Sequence, residues 1–204
     1  MSMLVDFGIP GLEVSQGDHV CAFYHGIPDR DEVLLPFLRA GLAAGDKCIC
    51  VLDGSDPDRI LGEVRAGPGA ELKPAAHQLD VLAVEQAYLL TGSFASDRML
   101  DFWDDNVSAA LRADGFTFVR SVGDTSWAFR RDPGTANEMI VYESRLNRFL
   151  PLYPQVILCL YDLELLSGEM IVDVVKTHPR LLVQGAVVEN PDYLEPDEFL
   201  ASRS

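Results

Sequence analysis

Apolar residues along this chain fall into two alternating kinds of run. Segments 19–24, 47–52, 78–84, 116–122 and 156–161 are apolar at most positions. They are too short for helices, and strands covered on both faces lose the polar alternation of half-exposed ones. Between them lie stretches of helical period. Leu34, Leu35, Phe37, Leu38 and Leu42 follow a capping-box pattern at Asp29 and Glu32 and precede a stop at Gly45. Pro36 inside that stretch requires a late first turn. Ser55 and Asp56 precede Pro57, a cap before a first-turn proline, and Gly67 with Gly69 ends that helix. Ser96 is placed to cap a helix bearing Met99, Leu100, Trp103, Val107 and Leu111. Thr135 and Glu138 form a second capping box, leading into Met139, Tyr142, Leu146, Phe149 and Leu150. Ser167 opens a short helix that ends at His178-Pro179.

After it, 181–183 and 186–188 flank Gln184-Gly185, a hairpin signal. The tail from Asn190 predicts irregular chain that packs through Tyr193 and Phe199. Strand and helix alternate throughout with no linker. The fold class expected is therefore α/β: one three-layer domain over 1–204, a mainly parallel sheet with helices on both faces and a C-terminal antiparallel hairpin.

Composition narrows the function. The 204 residues carry 16 Lys+Arg against 32 Asp+Glu, a formal charge of -16. Phosphate binding needs clustered cations, so nucleic acid is excluded as a direct partner and anionic membranes are disfavoured. Cys21, Cys48, Cys50 and Cys159 each sit among apolar residues, as buried free thiols of a cytoplasmic protein do. The first residues show no basic, apolar leader pattern, and no apolar run reaches membrane-spanning length.

Ligands of open parallel sheets sit beyond the carboxyl ends of the strands. Those ends hold Tyr24 and His25, Asp53, Glu85, Asp124 with Trp127, and Asp162. The turn after the first strand lacks the glycines and the Lys-Ser/Thr pair of a phosphate loop and carries three acids instead. No nucleotide cofactor is expected. His19, Cys21, Cys48 and Cys50 alternate onto strand faces, but Cys-x-Cys inside an apolar strand packs more often than it ligates, so no metal is expected. No G-x-S-x-G elbow is present. Arg120 interrupts a strand and Glu143 lies among apolar helix residues, so the two are expected to form a buried pair.

Several strings recur in a fixed order: residues 17–24, 35–42, 120–127, Tyr142-Glu143 with Leu146-Asn147, 158–162, 177–179 and 190–193. In this order the chain resembles the MEDS family, the sensory domain described for the dichloromethane-metabolism regulator and for methanogen and methylotroph signalling proteins. The resemblance covers about residues 12–200. It implies a degenerate RecA/KaiC-like fold without a working phosphate loop, and a role in sensing small organic compounds. It further implies, if the first strand lies between the fourth and fifth, that Tyr24, His25, Asp124, Trp127 and Asp162 converge on one ligand pocket, with the Cys48/Cys50 strand at an edge.

The expected function is a cytoplasmic sensing domain, without catalytic residues, that acts through a regulatory protein partner. A homo-oligomer is compatible with this. Two alternatives stand beside it. One is a small acid/base enzyme using His25, Asp124 or Glu143; the other is a ligand-free interaction module docking a basic partner through its acidic surface.

Overall fold

The computed structural model describes residues 3–54, 56–67, 75 and 77–203. In chain order the elements are β1 (Leu4–Asp6), β2 (Glu13–Ser15), β3 (His19–Tyr24), α1 (Gly26–Ala44), β4 (Lys47–Leu52) and α2 (Pro57–Ala66). There follow β5 (Leu79–Ala83), α3 (Ser96–Arg112), β6 (Val119–Asp124), α4 (Ser126–Phe129) and α5 (Pro133–Phe149). The chain closes with β7 (Gln155–Asp162), α6 (Gly168–Thr177), β8 (Arg180–Val183), β9 (Ala186–Glu189) and α7 (Pro196–Ser202).

The main sheet has the order β5-β4-β6-β7-β3-β8-β9. It is parallel except for the final β8–β9 hairpin. Gln184 and Gly185 both take positive φ, 49° and 75°, as a two-residue hairpin turn of this hand requires. The first long strand, β3, therefore lies between β7 and β8, not between the fourth and fifth strands. Nor is β4 an edge: β5 covers it.

Side-chain alternation along the strands builds two cores. Val20, Ala22, Cys48, Cys50, Val122, Leu158 and Leu160 face α1 and α2 through Leu34, Phe37, Leu38, Ile60 and Val64. Cys21, Ile49, Val51, Val119, Ile157, Cys159 and Tyr161 face α3 and α5 through Met99, Trp103, Val107, Met139, Tyr142 and Leu146. The small β1–β2 hairpin, which has no clear sequence signal, closes the first core with Val5 and Val14.

Local signals explain several helix ends. Ser167 accepts a hydrogen bond from the Met170 amide and caps α6. Gly45, at φ 83°, ends α1 in the left-handed conformation. Other starts differ from expectation. Helix α1 begins at Gly26, so Asp29 lies inside it and reaches back to the His25 amide at 2.7 Å. Pro36 consequently sits mid-helix rather than near a late start. Asp132, not Thr135, caps α5, because Pro133 takes the first helical position. Asp56 caps α2; Ser55 and Gly69 lie outside the described residues. The tail forms α7, whose Phe199 is fully buried. Among the described residues no helix is long and apolar enough to cross a membrane.

Candidate functional site

Three features occupy the region where the sheet meets its helices. The first is a polar network at the carboxyl ends of β3, β6 and β7. The Tyr24 hydroxyl lies 3.2 and 3.3 Å from the Asp124 carboxylate oxygens and 2.9 Å from Ser126 Oγ. Ser126 Oγ accepts from the Asp162 amide at 3.0 Å, and the Ser126 amide donates to Asp124 Oδ1. Buried Arg30 holds Asp31 at 2.8 Å and reaches Asp124 at 3.4 Å. Arg59 closes the network on Asp31. Burial raises the Asp124 carboxyl above its ordinary value, against the opposing hydrogen bonds from Ser126 and the charge of Arg30. Burial and then the neighbouring Asp124 also raise the Tyr24 phenol.

Of the five residues expected to share one pocket, Tyr24 and Asp124 thus come together around Ser126, and Asp162 joins through its backbone amide alone, its carboxylate capping the next turn at the Glu164 amide. The other two do not join them. His25 is exposed, and only its backbone is engaged, by Asp29. Trp127 belongs to the opposite core. The turn into α4 carries its indole away from Tyr24.

The second feature is an aromatic cluster on that opposite face. Tyr88 packs on Trp127 and Tyr142 at centroid distances of 5.4 and 6.2 Å, and Phe94 packs on Trp127 and Tyr142 at 5.6 and 5.7 Å. Trp103 Nε1 donates to the Tyr142 hydroxyl at 2.6 Å. A Cβ on Gly123 would lie 2.5 Å from the Tyr88 hydroxyl, so only glycine lets this phenol reach the sheet. Outside this cluster, a cleft of about 250 Å³ opens between residues 87–91 and α3. Tyr88, Leu90, Met99 and Phe102 line it, with Thr91, Arg98, Asp101, Asp105 and Asn106 as its polar members.

The third feature was not anticipated as a unit. His19 from β3, Cys159 from β7, Glu143 from α5 and His178 after α6 are all fully buried, and their ligand-type atoms lie within 4.8 Å of one another. His19 Nε2 is 3.2 Å from Glu143 Oε2 and 3.3 Å from Cys159 Sγ. His178 Nε2 is 3.5 Å from the same carboxylate oxygen. Parity on the parallel strands explains the meeting: β3 and β7 pair Cys21 with Cys159, so His19 and Cys159 point to one face, the face on which α5 lies. Burial opposes ionising Glu143, yet the facing imidazoles hold its carboxyl down at about 2. Burial, then His178, pushes His19 down to about 4. Burial and then Glu143 raise the Cys159 thiol.

The expected Arg120–Glu143 pair does not form. Arg120 shares the α1 face of β6 with Val122 and Asp124, whereas Glu143 projects from α5 on the other side. Arg120 instead bonds Asp46 at 2.7 Å and the Asp6 carbonyl at 2.7 Å. The set His19, Cys21, Cys48 and Cys50 is also not a cluster, since β6 and β7 separate β4 from β3.

Comparison with known proteins agrees with this architecture. The KaiC-like protein PH0186 from the hyperthermophilic archaeon Pyrococcus horikoshii OT3 superposes with a TM-score of 0.60 at 13% identity, over 89% of this chain and 80% of that one. The flagellar accessory protein FlaH from Methanocaldococcus jannaschii superposes with a TM-score of 0.56 at 10% identity, over 92% and 84%. The fold is therefore RecA/KaiC-like. In sequence, the chain is 31% identical over 175 residues to the transcriptional repressor DcmR of Methylorubrum extorquens, covering 83% of this chain and 61% of that protein. It thus spans about three-fifths of the length of that relative. Residues 18–179 match the family described as MEDS, the MEthanogen/methylotroph, DcmR Sensory domain, and the chain belongs to that family.

Proposed function

We propose that this domain senses a small organic molecule and passes the signal to a regulatory protein partner in the cytoplasm. The family match over residues 18–179 carries the sensory role. The cleft beside Tyr88 supports the ligand's chemistry. It is large enough for a few heavy atoms, has an apolar side at Tyr88, Leu90, Met99 and Phe102 facing a polar rim of Arg98, Asp101 and Asp105, and is backed by rings at Tyr88, Phe94, Trp127 and Tyr142. Such a site favours short apolar or halogenated compounds with at most one polar end. Trp127 acts in this scheme as the wall behind Tyr88. Tyr24, Asp124 and Asp162 serve as a hydrogen-bonded brace at the strand ends, and His25 is left at the surface for a partner.

The same proposal excludes nucleotide hydrolysis. At the start of α1, where a phosphate would sit on free amides, Asp29 already takes the His25 amide, and Arg30 is committed to Asp31 and Asp124. Calorimetry with ATP and magnesium should show no micromolar binding, and phosphate release should stay at background.

The ligand test is a titration of short alkyl halides, alcohols and methylated amines into the purified chain, read by tryptophan fluorescence and calorimetry. Filling the cleft with Leu90→Trp or Asn106→Trp should abolish binding and leave the circular dichroism unchanged. Binding that survives both substitutions would place the ligand elsewhere.

A further inference from the structure

The buried cluster of His19, Glu143, Cys159 and His178 brings four ligand-type atoms within 4.8 Å of one another, with both imidazoles anchored from outside the cluster. Asn147 fixes the first imidazole. Its Nδ2 donates to the Thr177 carbonyl at 2.8 Å and the Ser144 carbonyl at 3.1 Å, so its Oδ1 is an acceptor, and His19 Nδ1 at 3.0 Å must be the donor. The second imidazole is fixed by the Val174 carbonyl, 2.8 Å from His178 Nδ1. A carbonyl only accepts, so this Nδ1 also carries the proton. Each ring therefore leaves only its Nε2 for the cluster: that of His19 faces Glu143 and Cys159 Sγ, and that of His178 faces Glu143, with the Tyr161 hydroxyl 3.4 Å away. The carboxylate offers acceptors, and its Oε1 has no hydrogen-bond partner although it is buried. Among the described residues only these two histidines pair with Glu143; no lysine or arginine reaches it.

Distances add a second, independent constraint. Tetrahedral ligation with nitrogen and oxygen at about 2.0–2.1 Å and sulfur at about 2.3 Å sets ligand–ligand edges near 3.3–3.6 Å. Three of the six observed edges are 3.2, 3.3 and 3.5 Å, and all six lie within 4.8 Å. Charge closes as well: a dication with one thiolate, one carboxylate and two neutral imidazoles sums to zero, which full burial demands. Both histidines have the outer partner that a metal-binding imidazole uses to hold its tautomer.

We propose that these four residues form a binding site for a zinc-class divalent transition ion, joining β3, β7, α5 and the end of α6. Mixed nitrogen, sulfur and single-carboxylate ligation selects zinc, cobalt or ferrous iron over magnesium or calcium. On binding, the Cys159 S–H proton is released to solvent and the thiolate takes its place on the ion.

The test uses the full chain, purified under reducing conditions, stripped with a chelator and titrated with Co²⁺. One cobalt per chain should bind. It should give the intense visible bands of tetrahedral coordination with a near-ultraviolet thiolate charge-transfer band, and Zn²⁺ should displace it. Cys159→Ser should remove the charge-transfer band and weaken binding at least tenfold while the circular dichroism stays native. A folded, stripped chain that takes up neither ion, or weak octahedral cobalt bands indifferent to Cys159→Ser, would overturn the site. If stripping unfolds the protein, metal recovered with freshly purified folded chain decides. One ion per chain in the wild type and less than a tenth of that in Cys159→Ser supports the site; equal contents, or none in either, overturn it.

Discussion

Replacing Arg120 by methionine is expected to damage this fold more than any removal of a surface charge. The Arg120 side chain is 1% exposed, and the Asp46 carboxylate it binds is 10% exposed. Its guanidinium also donates to the Asp6 carbonyl and lies 5.2 Å from the centre of the Phe37 ring. The substitution preserves most of the volume, so little cavity is made. What is lost is the partner of Asp46, left facing a low-dielectric interior, and the donor to Asp6. Breaking a buried pair on one side costs about 3–5 kcal/mol. The small water access at Asp46 puts this case near the lower end, and the orphaned Asp6 carbonyl adds about 1 kcal/mol. For a chain of this size each kcal/mol moves the melting temperature by about 2–4 °C, so a fall of roughly 8–16 °C is expected. Urea unfolding should report the loss with an unchanged m-value. The control is Arg148→Met, whose ion pair with Asp197 is largely exposed and worth about 0–1 kcal/mol. Equal losses in the two variants would refute the argument. A charge-free pair, Arg120→Met with Asp46→Leu, should recover part of the loss, because it removes the stranded charge.

Gly41→Ala should act on the same pair from α1: its Cβ would fall 2.6 Å from Arg120 Cδ and 2.7 Å from Cys48 Sγ. A melting-temperature loss, despite alanine's better helix propensity, is the expected sign. Asp124→Asn tests the strand-end brace through pH. A raised carboxyl means that, from about the ordinary aspartate value of 3.8 upward, the native state holds more protons than the unfolded chain. Its contribution to stability is then fully present below that value and is lost as pH rises through the raised one. The stability of Asp124→Asn relative to wild type should therefore improve as pH rises through this window, and parallel curves would show that Asp124 is not so raised. Trp127→Ala should cost about 3–5 kcal/mol in urea unfolding, since the indole is buried against Tyr88 and Phe94; a loss under 1 kcal/mol would mean that it borders open space.

How much of this was readable in the sequence depended on whether a feature is local. Strand runs, the Ser167 cap, the Gly45 stop and the Gln184-Gly185 turn each follow from a few adjacent residues, and they stand where the pattern put them. Helix starts slipped where two signals competed: Asp29 and Glu32 look like a cap, yet the α1 turn closes earlier because Gly26 takes φ 69° and lets the chain enter the helix at once. Strand order was not local at all. It depends on which face each crossover helix covers, and no residue in β3 announces that β8, rather than β6, will lie beside it.

The same limit governed the chemistry. A mid-strand arginine and a helix glutamate both demand partners, and the sequence shows that demand without showing which face of the sheet each will meet. Parity on the strands held the missing information. Position 120 shares its face with 122 and 124, and 19 shares its face with 21 and, through the β3–β7 register, with 159. Once α1 is set on one side and α5 on the other, Arg120 can reach only Asp46, and Glu143 can reach only the side that carries His19 and Cys159. His178 completes the set because α6 ends there, its carbonyl turned to Asn190 and its ring to Glu143. All four residues sit inside the short strings by which the family resemblance is recognised. In those strings they stand among apolar neighbours that by themselves specify only a core. A core has no use for two imidazoles, a carboxylate and a thiol in mutual contact, because each must be desolvated and none can donate to all the others. Their joint burial is therefore a stronger statement about chemistry than any one of them made from its place in the chain.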